Sequence, residues 1–544
     1  MNEYQFEISI TLKAPFCIPG VEAGAFGYDM VCMRNSDSTP IIPQDQFKGM
    51  LADGLRAIKK KDFQERVFGA ASGDAFTESD ANFEPNRGRI FPTDLVCTTK
   101  IDKGALPYYR NHIDEDAGAV KEGHLLTLEQ VFKPEELVTF EGKMTLFDDK
   151  FDGVEIAEIC QMAMYAHLGV GSDENIGMGH IQNVSISVAK GTTIEQPSNT
   201  NDLGAGVYMW EFTVDRPYLV NSKRIASNAY LGERDIPGGA LKGVFAQMLK
   251  LRGIKFSDTD LSAARFGFAS QFERAAFPAS MVLAKDGLVD LAQASDVISP
   301  KLQIDWKGGD FKAAGIETDY PVYDERVHTK LTGGVAEDQM LFSTISVVPD
   351  RWKTFAATLD LSSLSAAAAN NLINALSQPL HGLGRTGATV LTSKVKKVAG
   401  SGEAHFEAGR YSIVLQTPAF MGVPVQQHDP IDFYSRLWNV LLPGSKLVDC
   451  FAQQAVSGGY LAKRYPLSKS ERYMPWILAD RGSVFVIDVA NDDLIRFKDL
   501  VSSGLCADIP DVDSTHGTTW KNCPFVTENG FGAIVAQRIQ GESK

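Results

Sequence analysis

Asp29 lies in a glycine-flanked stretch, Gly24-Ala25-Phe26-Gly27-Tyr28-Asp29-Met30-Val31. A carboxylate held in such a loop suits two tasks at a phosphate. It can be one ligand of a hydrated divalent cation such as Mg²⁺, or it can orient a hydroxyl for in-line attack. One carboxylate is an incomplete cation site, so phosphate and water would supply most ligands. The same residue among glycines also serves simply to accept backbone N–H bonds in a turn. Cations come next: Lys48 and Arg56 are eight residues apart, as are Lys242 and Lys250. Eight steps of about 100° return to roughly the same helix face, which pairs the cations for phosphate contact. An ordinary solvated face has the same spacing. Gly171-Ser172 and Gly384-Arg385 stand in glycine-rich loops, where backbone N–H groups approach a phosphate freely or where the chain merely turns sharply. Tyr460-Leu461-Ala462-Lys463-Arg464-Tyr465 interleaves aromatics with cations, the composition that stacks bases and pairs phosphates. Asp148, Asp149, Asp152 and Glu155 lack calcium-loop spacing and read as a solvated helix start.

The elements that position these residues recur along the chain. Ile42-Pro43-Gln44-Asp45-Gln46-Phe47-Lys48-Gly49 and Ile236-Pro237-Gly238-Gly239-Ala240-Leu241-Lys242-Gly243 each open a helix-like stretch. Proline suits a helix start, where its missing N–H costs nothing. A second helical stretch follows at 152–168 and again, Ala-rich, at 362–380. Each leads to a glycine-rich loop and then a strand-like segment, HIQNVSISV or ATVLTSKVKKV. A third such ending, Asn529-Gly530-Phe531-Gly532 then AIVAQRI, closes the chain. Gly382-Leu383-Gly384-Arg385-Thr386-Gly387 satisfies the GxGxxG pattern, but a dinucleotide site needs a strand before it and a helix after it. Here the order is reversed. Polar stretches at 189–206 and 399–409 divide the chain into units of 1–190, 205–400 and 405–544.

At 544 residues with 44% hydrophobic content, the chain is too long for one core, which agrees with three units. Seven scattered cysteines without a CxxC pair exclude a zinc ribbon and argue against a disulfide framework. No apolar run approaches the ~18 residues of a membrane helix, and no secretory signal opens the chain, so a cytoplasmic protein without membrane contact is expected. The net charge of -15 argues against a broadly basic surface, though phosphate binding depends on local patches. No GxSxG, HExxH or complete Walker A motif is present.

The Ile-Pro…Lys-Gly helix start and the glycine loop before the last strand resemble the RAMP superfamily of type III CRISPR effector subunits. Arg87-Gly88-Arg89-Ile90-Phe91-Pro92-Thr93-Asp94 and Gly482-Ser483-Val484-Phe485 add to the likeness. The resemblance implies an α+β fold of tandem ferredoxin-like (RRM-like, βαββαβ) domains. Residues 1–190 resemble the backbone subunit that holds guide RNA (crRNA) and cuts target RNA, with Asp29 at the family's catalytic and metal-binding aspartate. Residues 205–544 look like the subtype III-D subunit that caps the guide's 5′ handle. Its loop at 220–234 has no aspartate at the matching place, because Asp235 abuts Ile236. The likeness further implies metal-dependent endoribonuclease activity, with crRNA, target RNA and other effector subunits as partners. Lys48, Arg56, Gly171, Ser172, Lys242, Lys250, Gly384, Arg385, Lys463 and Arg464 are the expected RNA contacts. A tandem backbone subunit or a non-catalytic RNA-binding scaffold of the same complex stands beside this reading.

Overall fold

Along the first strand, Asn2–Lys13, Phe6, Ile8, Ile10 and Leu12 alternate with more polar neighbours, and all four are buried on one face. The computed structural model describes residues 1–20, 27–69, 87–101, 106–113, 118–189, 204–226, 228–271, 275–284, 287–293, 321–332, 335–398, 405–421, 430–458, 461, 465, 475–506 and 523–539. In it, Asn2–Lys13 pairs antiparallel with Leu137–Asp148 on one side and His180–Val188 on the other. Ile90–Pro92 and Leu95–Cys97 lie on the far side of Leu137–Asp148. With the main strands numbered in chain order, the sheet reads 2-3-1-4. Helix Gln44–Ala57 joins the first to the second, and Gly153–Met164 joins the third to the fourth.

The same order occurs twice more. Arg265–Phe266, Phe355–Asp360, Val207–Val214 and Ala388–Lys397 form the second sheet, with helices Gly238–Arg252 and Ala366–Leu376 in the connections. Lys446–Phe451, Val484–Val489, Gly409–Leu415 and Ile534–Arg538 form the third, with helices Pro430–Leu441 and Leu494–Ser503. Each sheet covers its own apolar core. The chain is therefore a mixed α+β protein of antiparallel sheets. Long hairpins leave the first and second units between strands two and three: Leu106–Ile113 with Val120–Gln130, and Val322–Thr332 with Val335–Val348.

Local chemistry explains the helix ends. Pro43 and Pro237 take the N-cap positions with extended backbones, so each Ile-Pro pair delivers the chain to the helix with no donor wasted. Ser365 caps the Ala-rich helix by accepting from Ala368 N at 3.2 Å. Asp152 and Glu155 form a reciprocal capping box, so this part of the acidic cluster is a helix start as expected. The Gly382–Gly387 loop differs in detail from its reading as a simple helix-to-strand link. A short strand, Leu380–Leu383, precedes the turn and pairs with Ala388–Lys397. Four residues were too few for a period-2 pattern to declare itself.

The two joints between units use one device. Gln44, first residue of the first Ile-Pro helix, donates Nε2 to Thr386 O at 2.5 Å in the glycine turn of the second unit, and Arg216 reaches Gln44 Oε1 at 3.2 Å. At the next joint, Asn529 and Gly530 of the third unit lie on the start of the second Ile-Pro helix. A Cβ on Gly238 would fall 1.7 Å from Phe266 O and 2.8 Å from Asn529 O, so only glycine fits there. In both cases the glycine turn of the following unit rests on the helix start of the preceding one.

Candidate functional site

Residues 14–40 connect the first strand to the first Ile-Pro helix, and this connection doubles back on itself. Gly20 N donates to Val31 O at 2.9 Å, and Met33 N donates to Ile18 O at 2.7 Å. Arg34 clamps Glu129 through two bonds of 2.7 and 2.8 Å, and Cys32 N adds a third at 2.9 Å. Burial works to raise the Glu129 pKa, but these donors outweigh it and hold the carboxyl below its usual range. The clamp ties the loop to strand Val120–Gln130.

Asp29 follows from that tie. Its N–H donates to Thr127 O at 2.8 Å, and its Oδ2 accepts from Thr127 N at 2.7 Å. The side chain is exposed, and among the described residues its other oxygen has no partner. One oxygen therefore fixes the carboxylate, and the other meets no donor among the described residues. Gly24, Ala25 and Phe26 lie outside the described residues. No group of three or more His, Cys, Asp or Glu side chains among the described residues could hold a metal. The donor set thus fits a hydrated cation taking one protein ligand and does not fit a closed metal cage.

The first glycine loop approaches the same connection. Ser172 N and Oγ both donate to Cys17 O, at 2.8 and 3.2 Å, and a Cβ on Gly171 would stand 2.5 Å from that oxygen. Gly171 is glycine because another backbone crosses it, at a positive φ of 107°. These donors already have a protein partner, which replaces the expected phosphate contact with loop–loop packing. Next to them, Asp173 forms an ion pair with Arg110 from the hairpin. Asp29, Ser172 and the base of the hairpin are therefore held in one interlinked group of loops.

The paired cations separate. Lys48 is half-buried with its Nζ 5.9 Å from the Phe68 ring, and burial lowers its pKa against the pull of Asp45. Arg56 is exposed and ion-paired with Asp53. Lys242 is 3% exposed, and its ammonium donates to Ala264 O at 2.9 Å and Ser262 O at 3.3 Å. Burial pushes its pKa down to about 8. A phosphate has no approach to Lys242, so the expected RNA contact is corrected: this lysine satisfies carbonyls at the C-terminus of helix Asp258–Ala263. Lys250, eight residues on, is exposed. Eight steps leave a residual rotation of about 80°, enough to carry one cation inside and the other out.

Gly384 is needed where a Cβ would meet Leu219 O at 2.4 Å. Arg385 is exposed and lays its guanidinium 4.8 Å from the Phe342 ring and 5.4 Å from that of Tyr230. Lys463 and Arg464 lie outside the described residues.

Sequence reading missed two features. Asp94 accepts from Gln44 N at 2.7 Å, capping the first Ile-Pro helix from fifty residues away, and it pairs with Arg326 of the second unit at 3.1 Å. Burial opposes the charge on Arg326, but Asp94 and Asp324 keep it firmly protonated. Asp94 ends the Arg87–Asp94 segment, so the segment was visible while its cross-unit partner was not. Asp235 abuts its helix start and does not match Asp29 in the sequence, and its surroundings differ too: it is tied to Arg481 of the third unit at 2.5 Å.

Family models match two parts of the chain. Residues 9–182 match the RAMP superfamily, and residues 304–536 match CRISPR-associated protein (Cas_Cmr3). The expected resemblance to RAMP proteins of type III CRISPR systems is thereby borne out. No curated protein matches the sequence. Among solved structures, the chain is similar to one in the cryo-EM structure of the Type III-B Cmr-beta bound to cognate target RNA. That match has 14% identity and a TM-score of 0.26, and covers 34% of this chain and 62% of the other, less than two thirds of its length. A second, from the same assembly with cognate target RNA and AMPPnP, has 12% identity and a TM-score of 0.29, covering 53% and 92%. Among the described residues no helix is long and apolar enough to cross a membrane.

Proposed function

We propose that this type III CRISPR RAMP protein is a fused subunit of an RNA-guided effector complex. Its first unit binds guide RNA (crRNA) and cuts the paired target at Asp29. Residues 205–544 bind the guide's 5′ handle and do not cut. The three 2-3-1-4 sheets with helices in both connections support reading the units as tandem ferredoxin-like domains, whose open sheet edges and hairpins suit a laid-out RNA strand. Sequence choice then belongs to base pairing, and the protein reads backbone and shape.

The observation that carries the reading is the contrast between Asp29, exposed and held among the described residues through one oxygen only, and Asp235, half-buried and set between the guanidinium groups of Arg481 and Arg234. Cutting proceeds by attack of a target 2′-hydroxyl oxygen on the adjacent phosphorus. The 2′ proton passes to solvent, the P–O5′ bond breaks and the departing 5′ oxygen takes up a proton, leaving a 2′,3′-cyclic phosphate and a 5′-hydroxyl. Asp29 holds the attacking group at its free oxygen while Thr127 N–H fixes the other. A bound Mg²⁺ would neutralise charge building on the phosphate, with Asp29 its protein ligand. The test is a labelled target complementary to the guide, carrying a single 2′-deoxy substitution, incubated with the assembled complex in Mg²⁺ or in EDTA. Discrete cuts lost at the substituted site and in EDTA support the reading. Cutting that ignores both sinks it.

A further inference from the structure

Trp352 is 95% exposed, whereas Trp210, Trp438 and Trp476 are buried to 3% exposure or less. An indole in water forgoes most of the burial an aromatic side chain normally gains, so its surroundings matter. It stands at the tip of the turn between strands Val335–Val348 and Phe355–Asp360. That turn is rigidly built. Gln271 donates Nε2 to Asp350 O and Lys353 O at 2.9 and 2.8 Å and accepts from Asp350 N at 3.0 Å. Trp352 N donates to Asp350 Oδ1 at 2.9 Å. Arg351 reaches across to the first unit, pairing with Asp37 at 2.6 Å and with Ser36 Oγ at 2.8 Å. The ring is thus presented outward by a turn fixed on both sides.

A cavity of about 490 Å³ opens beside it, lined by Arg234, Arg351, Trp352 and Lys353 together with Asp37 and Asp350. Three cations face two carboxylates, so the lining carries one net positive charge, with Arg351 paired to Asp37 and Lys353 to Asp350. The geometry points to a nucleotide-binding site for single-stranded RNA, with an unpaired base stacked on the Trp352 indole and its phosphate held by Arg351 and Lys353. An exposed indole between two cations is a stacking platform that accepts any base, and a duplex has no free base face to offer it. The net positive lining favours a polyanion over an apolar peptide, with phosphate taking Arg351 and Lys353 from their exposed ion pairs with Asp37 and Asp350. This site rests on the reading of the chain as an RNA-binding subunit and adds a contact that depends on stacking, in a cleft between the first and second units.

The test titrates the full-length protein into fluorescein-labelled single-stranded oligouridine and follows anisotropy at several salt concentrations. Trp352→Ala is expected to weaken binding by about tenfold or more with an unchanged salt slope, and Trp352→Phe to recover most of the loss. Lys353→Ala is expected to make the salt slope shallower by about one. With Trp352 so exposed, thermal melts of both Trp variants should overlay the wild type. If the wild type binds oligouridine and Trp352→Ala binds equally well, the site is refuted and the wider reading stands. If the wild type binds no RNA, both fail together. Unchanged RNA affinity with loss of a co-purifying effector subunit would make Trp352 a protein anchor instead.

Discussion

The two Ile-Pro helices carry a lysine at the same turn, yet the two side chains are used differently. Lys48 is half-buried with its ammonium near the ring of Phe68, while Lys242 is sealed against the carbonyls of Ala264 and Ser262. The aspartates near their starts differ in the same sense. Asp29 faces solvent, and Asp235 faces Arg481. The third unit accounts for Asp235, since it supplies Arg481, whereas Lys242 is sealed within its own unit by the end of helix Asp258–Ala263. The second helix start is covered by the third unit, with Asn529 packed on Gly238 and Gly239, whereas the first meets the second unit through Gln44 at its edge. A repeated motif therefore sets where a group stands, and what packs against it, from its own unit or the next, decides whether it meets water.

The strongest way to break this comparison is at the helix starts themselves. Gly238→Ala forces a Cβ into Phe266 O and Asn529 O, and a loss of about 3 kcal/mol or more is expected in urea unfolding of the full chain. Gly243→Ala, with open space around it, should change stability by less than about 1 kcal/mol, in the stabilising direction. Equal effects at both positions would show that neither Phe266 nor the third unit presses on this helix start.

The lysines sharpen the contrast through pH. The Lys242 pKa of about 8 lies below its ordinary 10.5. Between those values the unfolded chain binds more protons, so this residue makes stability rise from pH 8 to about 10.5, while below 8 its full penalty remains. Lys242→Met should remove a rise on the order of 2 kcal/mol from the wild-type pH profile, seen by denaturant titration across that window. It should also leave RNA affinity unchanged. A Lys242→Met variant that keeps the pH profile but loses RNA would restore the phosphate role. The smallest effect belongs to Arg56→Ala: its exposed ion pair with Asp53 contributes under about 1 kcal/mol, and a melt should barely move.

The parts of this architecture that were legible in the sequence are those written in local chemistry. Ile-Pro helix starts, the acidic helix start at Asp152 and Glu155 and the alternating strand His180–Val188 each need only neighbouring residues. What stayed hidden depended on distant pairings. Asp94 reads as one more polar residue until Arg326, 232 positions away, is placed against it. Gly171 and Gly384 read either as loops open to phosphate or as sharp turns, and only the fold shows Cys17 O and Leu219 O in that space. Lys242 looked like Lys48 because the two segments match and the burying neighbour lies elsewhere in the chain. Trp352 carried no pattern at all, since only exposure distinguishes it from a core tryptophan.

The account stands most directly on a side-by-side cleavage measurement. The assembled complex is prepared with wild type, Asp29→Ala and Asp235→Ala, and each is given guide-complementary labelled RNA in Mg²⁺. Asp29→Ala is expected to slow cutting by about a hundredfold or more with RNA binding intact, and Asp235→Ala to keep the wild-type cut pattern. Wild-type cutting by Asp29→Ala, or loss of cutting confined to Asp235→Ala, would contradict it.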